Sequence, residues 1–256
     1  MDRLRPGARR IVSLPRRVVC LLATDYNHLI RLHASRTAAP MDYPAARQHM
    51  IDSQVRTNKV TDASVIAALS ALPREQFVGE SHRKLAYIDR PVPMGAGRRM
   101  MEAMYLGRLL QAAELELDEK ALVVGAGTGY AAAALSRLVS RVVALESSAE
   151  LAARARTVLA GLELTNVSVV EGELAGGWPS EAPFDFILID GAVEMVPDAL
   201  TAQLADGGRL ACIVMKGSIG HAALIERADG VLTRRDLFDA ESDVLPGFAR
   251  PQRFVF

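Results

Sequence analysis

The chain has little cysteine: two residues, Cys20 and Cys212, among 256, and no Cys-x-x-Cys pair. Two isolated cysteines do not make a disulfide framework, and the missing paired motif argues against structural zinc. The histidines at positions 28, 33, 49 and 82 show no metal-ligand spacing either. We therefore expect a protein of the reducing cytoplasm without a metal site.

An excess of charge of one sign and a long apolar run are also missing. The 30 Lys and Arg residues balance the 30 Asp and Glu residues. This balance argues against a nucleic-acid or membrane-surface protein attracted by global charge. No apolar stretch reaches the roughly 20 residues that cross a bilayer. Aromatic residues make up only 5%, yet half of the chain is hydrophobic, which is enough for a sizeable core.

The first 40 residues differ from the rest of the chain because they are rich in arginine. The short apolar run "VVCLLA" follows, so the segment has features of a signal or transit peptide. Asp25 interrupts that run, and Met41 begins a stretch that reads like a natural start. We expect residues 1–40 to be an extension outside the fold, disordered or upstream of the true start. Targeting and a short ordered helix are the alternatives.

Residues 43–115 are predicted to be mainly helical. One helix begins after Thr61 or Asp62 and ends before Pro73. A second covers residues 98–115, where Met and Leu recur at helical spacing. Between them, the prolines and glycines of "YIDRPVPMGAG" predict a loop.

From Ala121 onward the sequence alternates between strand and helix patterns. Strands are predicted at "ALVVG", "RVVALE", "VSVVEG", "FDFILID" and "GRLACIVM", and helices at "YAAAALSRL", "SAELAARARTVLAGL" and "PDALTAQL". This alternation indicates an α/β layer with a mostly parallel sheet. The segment from Leu232 is predicted to add one or two edge strands, with "RFVF" closing the sheet antiparallel.

A glycine loop follows the first of these strands, at Gly125-Ala126-Gly127-Thr128-Gly129. Glycines there permit a tight turn and let the backbone approach a ligand. A dinucleotide fingerprint would require a sixth-position glycine where Tyr130 stands. Glu146 ends the next strand, about 17 residues past Gly129, where a carboxylate accepts hydrogen bonds from ribose hydroxyls. Each feature alone fits a plain turn or a solvated acid, but their order favours a nucleoside-type cofactor, S-adenosylmethionine above all.

Five stretches resemble the protein-L-isoaspartate O-methyltransferase family: "MIDSQVRTNKVTDASVIAALSALPREQFV", "AYIDRPVPMGAG", "VVGAGTGYAAAALSRL", "EGELAGGWPSEAPFDFILIDGA" and "VPDALTAQLADGGRL". The resemblance implies a Rossmann-like class I methyltransferase sheet with an N-terminal helical region. Residues 41–117 would form that region with the acceptor-site loop, and residues 118–256 the cofactor-binding domain. The implied activity is methyl esterification of the α-carboxylate of isoaspartyl residues in damaged proteins.

The same resemblance implies roles for individual residues. Gly125, Gly127, Thr128 and Gly129 would form the cofactor loop, and Glu146 would bind the ribose. Glu173 stands where the family has an acid before a glycine and would reach the adenine amine. Here Leu174 follows instead of glycine, which weakens that assignment.

Two departures from the family pattern concern the reacting centre. Met101 stands in the place of an acceptor-site serine, with Ala103 in the place of a nearby proline, and Val123 replaces an acid before the glycine loop. A thioether is at best a weak hydrogen-bond acceptor, so it does not substitute for the hydroxyl.

Three further residues are candidates near the acceptor. Arg98 or its neighbour Arg99 is a candidate anchor for a carboxylate acceptor, against the alternative of a solvated helix start. Asp190, at the end of "FDFILID", is predicted to touch the cofactor or the acceptor, or else to cap its strand.

Three functions remain open from the sequence. The first is the isoaspartyl methyltransferase, with isoaspartyl proteins as substrates and no nucleic-acid or membrane partner. The second is a methyltransferase of the same fold with another acceptor. The third is a non-catalytic cofactor-binding module. The sequence does not predict an oligomeric state.

Overall fold

A computed structural model describes residues 41–250 of the chain. Within them seven strands form one sheet: β3 (Lys120–Val124), β4 (Arg141–Glu146), β5 (Val167–Glu171), β6 (Phe184–Val193), β7 (Leu204–Lys216), β8 (Ile219–Ala228) and β9 (Val231–Asp239). Their spatial order is β5-β4-β3-β6-β7-β8-β9. The five strands from β3 to β7 are parallel to one another, whereas β8 is antiparallel to β7 and β9 to β8. The predicted α/β class with a mostly parallel sheet is confirmed.

Six α-helices and a small hairpin accompany the sheet within the described residues. The helices are α1 (Tyr43–Met50), α2 (Ala63–Ala71), α3 (Ala103–Ala112), α4 (Tyr130–Leu135), α5 (Ala149–Gly161) and α6 (Asp198–Thr201). The hairpin consists of β1 (Val92–Gly95) and β2 (Arg98–Met100). Helix α2 begins at Asp62, whose carboxylate accepts a 2.8 Å hydrogen bond from the Val65 N–H. It ends before Pro73, so both predicted limits are confirmed.

The helical region and the sheet share one hydrophobic core. Val55, Leu69 and Leu106 belong to the same buried cluster as Leu151 and Leu188. Residues from Asp42 onward accordingly form one compact unit. The proposed division at residue 117 therefore separates two regions by their expected roles, acceptor site and cofactor binding, although the two regions pack against each other.

The hairpin corrects the predictions for residues 87–115. Helix α3 begins only at Ala103, and the supposed loop contains β1. Gly95, Ala96 and Gly97 all have positive φ, which reverses the chain and brings β2 back along β1. Arg98 and Met100 then face inward while Arg99 faces solvent, because side chains alternate along a strand.

Strand β8 was not predicted. Its sequence "IGHAALIERA" has few β-branched residues and resembles a helix as much as a strand. The antiparallel pairing with β7 over eight residue pairs decides for the strand. The predicted edge strand is confirmed as β9, and "RFVF" lies outside the described residues. No helix among residues 41–250 is long and apolar enough to span a membrane.

Candidate active site

The glycine loop lies where the sheet changes its direction of growth. Strand β4 pairs on one side of β3 and β6 on the other, so the crossovers diverge at the carboxyl end of β3. A crevice opens at such a point, and open α/β sheets bind their ligands there. The loop 125–129, which follows Val124 directly, occupies this crevice.

The three loop glycines have φ values of +78° at Gly125, +57° at Gly127 and +95° at Gly129. A Cβ at Gly125 would come within 2.8 Å of Leu245 Cδ1, and one at Gly127 within 2.6 Å of Met94 Cε. A Cβ at Gly129 would meet Leu159 at 3.1 Å. The first two glycines therefore leave room for Leu245 and Met94 against the loop, whereas Gly129 allows close packing of helix α5.

The Glu146 carboxylate lies fully buried beside this loop. Its Oε2 accepts a 2.7 Å hydrogen bond from the Gly127 N–H. Its Oε1 accepts from the N–H groups of Ser147, at 2.9 Å, and Ser148, at 3.0 Å. The end of β4 and the glycine loop are thus joined through one buried negative charge.

The other proposed cofactor residues differ in what they offer. The Thr128 hydroxyl is buried and donates to the Phe77 carbonyl at 2.6 Å. Its hydrogen is therefore already used, and Thr128 offers a ligand its backbone. Glu173 is exposed just after β5. The Gly172 N–H donates to the Glu146 carbonyl at 3.1 Å, which brings the Glu173 turn next to the buried acid.

Met101 is buried directly after β2, and its backbone is held by Arg74. Arg74 is itself buried and donates from Nη2 to the Met101 carbonyl at 2.5 Å and from Nε to the Ala86 carbonyl at 2.8 Å. Its guanidinium also lies 4.5 Å from the centroid of the Tyr130 ring. The segment that begins at Met101 is therefore fastened to the stretch "LPREQFV", whose arginine has no predicted role.

The two arginines of β2 face opposite partners. Arg98 is buried; its Nη1 lies 3.3 Å from Glu146 Oε2, and its Nη2 donates to the Gly125 carbonyl at 2.9 Å. Arg99 binds the Asp243 carboxylate through two nitrogens, with Nε 2.6 Å from Oδ2. Arg98 thus lies on the glycine loop, and the alternative of a solvated helix start does not describe it.

Asp190 lies partly buried in β6. Desolvation raises the pKa of its carboxyl to about 6, although the nearby Arg98 and Arg74 act in the opposite direction. The folded protein therefore binds this proton more tightly than the unfolded chain does. Its contribution to stability is fully present below about pH 4 and is lost as the pH rises through about 6.

We expect Asp190→Asn to stabilise the fold at pH 8 by about 2 kcal/mol and to have little effect at pH 4. The amide has the same size but no charge to desolvate. Urea unfolding at both pH values measures the difference. Asp206→Asn, at an exposed position, is the control. An equal effect of Asp190→Asn at both pH values would contradict the burial of a titrating carboxyl.

Several site residues gave no signal in the sequence. Asp243 and Leu245 belong to a segment that adds a short parallel bridge, Ala192 to Val244, beside the end of β6. Leu245 covers the glycine loop, and Met94 covers it from β1. Among the described residues, no group of three or more His, Cys, Asp or Glu side chains is arranged to hold a metal ion.

Comparison with known proteins supports this assignment of the fold. The family model of protein-L-isoaspartate (D-aspartate) O-methyltransferase matches residues 45–239. A protein-L-isoaspartate O-methyltransferase of Koribacter versatilis is 39% identical over 193 residues, covering 75% of this chain and 87% of the relative. One of Methylorubrum extorquens is 38% identical over 205 residues, covering 80% and 86%.

Two solved structures have the same fold. A protein-L-isoaspartate O-methyltransferase superposes with a TM-score of 0.70 at 23% identity, covering 78% of this chain and 66% of the other. A Plasmodium falciparum protein described as a putative protein-L-isoaspartate O-methyltransferase, in complex with S-adenosyl-L-homocysteine, gives 0.67 at 19% identity, covering 80% and 99%. At these identities the likeness concerns the fold.

The parallel sheet, the glycine loop at its switch point and the buried acid at the end of β4 define a class I S-adenosylmethionine-dependent methyltransferase. The family match covers more than half of the chain and two relatives exceed 30% identity. The chain belongs to the protein-L-isoaspartate (D-aspartate) O-methyltransferase family. It is an O-methyltransferase that uses S-adenosylmethionine as its methyl donor.

Proposed function

We propose that this enzyme methyl-esterifies the α-carboxylate of isoaspartyl residues in damaged proteins, which is the first step of their repair. The observation that carries this proposal is the family match over residues 45–239, which includes both the acceptor segment and the cofactor loop. We place the reaction in the cytoplasm, where a thiol such as that of the buried Cys212 stays reduced.

Six residues are proposed to hold the cofactor: Gly125, Gly127, Thr128, Gly129, Glu146 and Glu173. The positive φ values of the glycine turn and the buried carboxylate beside it suit a ligand with an adjacent pair of hydroxyl groups. When bound, S-adenosylmethionine supplies an electrophilic methyl group on its sulfonium. Glu146 would accept hydrogen bonds from the ribose, and Glu173 would lie beside the adenine.

Met101, Arg98 and Asp190 are proposed to face the acceptor. A carboxylate acceptor is already ionised at neutral pH, so these residues need not remove a proton from it. Their contribution is positioning and the exclusion of water. Arg98 supplies positive charge next to Asp190, whose own negative charge would otherwise repel an anionic acceptor.

The test is transfer of labelled methyl from S-adenosylmethionine to an isoaspartyl peptide and to its aspartyl twin. Selective labelling of the isoaspartyl peptide is expected. Labelling of neither peptide, in a sample with demonstrated cofactor binding, would refute the proposed acceptor.

In the same assay, Met101→Ser is expected to raise kcat/KM for the isoaspartyl peptide roughly ten- to a hundredfold. A hydroxyl at this position restores one orienting hydrogen bond to the acceptor. Met101→Ala, which removes the thioether without adding a hydroxyl, is the matched control. A serine variant no faster than the alanine variant would show that this position does not orient an isoaspartyl carboxylate.

A second candidate is a methyltransferase of the same fold with an apolar acceptor. The buried methionines Met94, Met100 and Met101 favour it, and Met94 contacts the glycine loop. Methionine side chains are flexible and polarisable and adapt to apolar ligands. Methyl transfer to small-molecule acids or cell extract, with no labelling of either peptide, would support this reading.

A further inference from the structure

The Arg98 guanidinium contacts the Glu146 carboxylate, the group that is proposed to bind the ribose. Glu146 Oε2 accepts from the Gly127 N–H and contacts Arg98 Nη1. Its Oε1 accepts from the Ser147 and Ser148 N–H groups and, at 3.3 Å, from the Ser147 hydroxyl. A carboxylate has about four acceptor positions, and these donors use them. A ribose hydroxyl therefore needs one donor to leave.

Of these donors, the two side chains, Arg98 and the Ser147 hydroxyl, are able to leave, and Arg98 is the one that contacts Oε2. The three backbone N–H groups belong to the glycine loop and to the start of α5, and they move only with those elements. The Arg98 contact at 3.3 Å is the longest contact to Oε2 and comes from a flexible side chain. Its second bond, to the Gly125 carbonyl, is also one that a rotation of the side chain breaks.

A second part of the chain closes over the same loop. We call residues 243–248 the C-terminal strap. The Ala192 N–H donates to the Asp243 carbonyl at 2.8 Å, and the Leu245 N–H donates to the Ala192 carbonyl at 2.9 Å. These bonds place Leu245 against the Cα atoms of Gly125 and Gly191, where an added Cβ would lie 2.8 and 2.5 Å from it.

Arg99, the residue next to Arg98, links the β1–β2 hairpin to the strap. Arg99 holds the Asp243 carboxylate with two hydrogen bonds. Because neighbouring side chains of a strand face opposite ways, β2 contacts Glu146 with one arginine and the strap with the next. The strap lies beyond residues 45–239, the part of the chain that matches the family model.

We propose that Arg98 is a gate in the cofactor site: while its side chain contacts Glu146, it blocks the ribose from that carboxylate. The Arg99–Asp243 pair holds the gate shut by keeping β2 in place. An anionic acceptor binds Arg98 only after the side chain has left Glu146. This proposal rests on the proposed role of Glu146 as the ribose ligand. Separating the buried pair costs energy, which the ribose hydroxyls offset by donating hydrogen bonds to the Glu146 carboxylate. The released guanidinium then lies near Asp190 and is available to an anionic acceptor, which makes the cofactor the first substrate to bind.

Titration of S-adenosylhomocysteine by calorimetry tests the gate without catalysis. Arg98→Gln removes the competing cation, and we expect it to bind on the order of tenfold more tightly than the unchanged protein. Glu146→Gln is expected to bind at least tenfold more weakly. Arg209→Gln removes a partly buried arginine that is paired with Glu119 away from the loop, and it should leave the affinity unchanged.

The two variants separate the gate from the proposed site. If Glu146→Gln binds as well as the unchanged protein, the proposed cofactor site is wrong. If Glu146→Gln weakens binding and Arg98→Gln weakens it too, the site stands and the gate is overturned, because Arg98 would then hold the acid in place for the cofactor.

Asp243→Asn tests the tie without touching Glu146 or Arg98, and it serves if Arg98→Gln does not fold. The Arg99–Asp243 pair is half-exposed, so the fold should tolerate its loss. Stopped-flow fluorescence of Trp178, the single tryptophan, which lies next to Gly172, would follow the binding. We expect several-fold faster association and dissociation; unchanged rates would contradict the tie.

The binding order has its own readout. We expect the unchanged protein to bind an isoaspartyl peptide at least tenfold more tightly with S-adenosylhomocysteine present than without it. In Arg98→Gln the peptide should bind weakly in both conditions. Equal peptide affinity of the unchanged protein with and without S-adenosylhomocysteine would overturn the ordered use of Arg98.

Discussion

Glu146→Ala is expected to abolish cofactor binding and to destabilise the fold at the same time. The substitution leaves the buried Arg98 without its carboxylate partner. The N–H groups of Gly127, Ser147 and Ser148 also lose the oxygen atoms to which they donate hydrogen bonds. Breaking a buried ion pair by removing one partner typically costs about 3–5 kcal/mol. The loss of the proposed ribose ligand should weaken S-adenosylmethionine binding at least a hundredfold, because charge-assisted hydrogen bonds are the strong ones.

Two measurements check this result: urea unfolding for stability and calorimetric titration for affinity. Glu171→Ala is the matched control, because Glu171 is the register partner of Glu146 on β5 but is exposed and paired with Arg156. Its loss should change stability by less than about 1 kcal/mol. An affinity of Glu146→Ala within twofold of the unchanged protein would remove Glu146 from the cofactor site.

Arg74→Met is expected to produce the second large effect, on both stability and turnover. Arg74 is buried and supplies the hydrogen bonds to the Met101 and Ala86 carbonyls. Methionine fills a similar volume but donates nothing, so two buried carbonyls would lose their partners. Each such loss costs about 1–3 kcal/mol, which gives a destabilisation of about 2–6 kcal/mol.

The same change should displace the acceptor segment that begins at Met101. Misplacement of reacting groups by about 1 Å lowers rates on the order of a hundredfold. We therefore expect kcat/KM to fall far more than the affinity for S-adenosylhomocysteine, since Glu146 and the glycine loop are untouched. Arg83→Ala, at an exposed position in the turn Glu80–Leu85, is the control. Equal losses in affinity and kcat/KM would show that Arg74 supports the whole fold rather than the acceptor segment.

The arrangement of the glycine loop and its acid was predictable because it is local. The glycine loop, the strand before it and Glu146 lie within one βαβ unit of 27 residues, from Lys120 to Glu146. Buried strands and glycine turns leave strong patterns over such short distances. The proposed residues Gly125, Gly127 and Glu146 accordingly come together as one cluster.

The acceptor half was harder to predict because short apolar segments are ambiguous. The methionines of "RRMMEAMYLG" have helical spacing, yet Arg98–Met100 forms a strand because the turn at 95–97 places it beside β1. Strand β8 was missed for a related reason, since its sequence has no strong strand preference and only pairing with β7 decides it. In both places tertiary context overrides local propensity.

The sequence by itself determined the α/β class, the order of the parallel strands along the chain, the glycine loop and its acid, and the family to which the chain belongs. Only the tertiary structure decided the partners of its arginines. Arg98 meets Glu146 across 48 positions, and Arg99 meets Asp243 across 144. No periodicity extends over such separations, because side chains of distant segments meet only where the packing of the whole sheet brings them together. For that reason the pairing of Arg98 with Glu146, beside the glycine loop, could not be predicted.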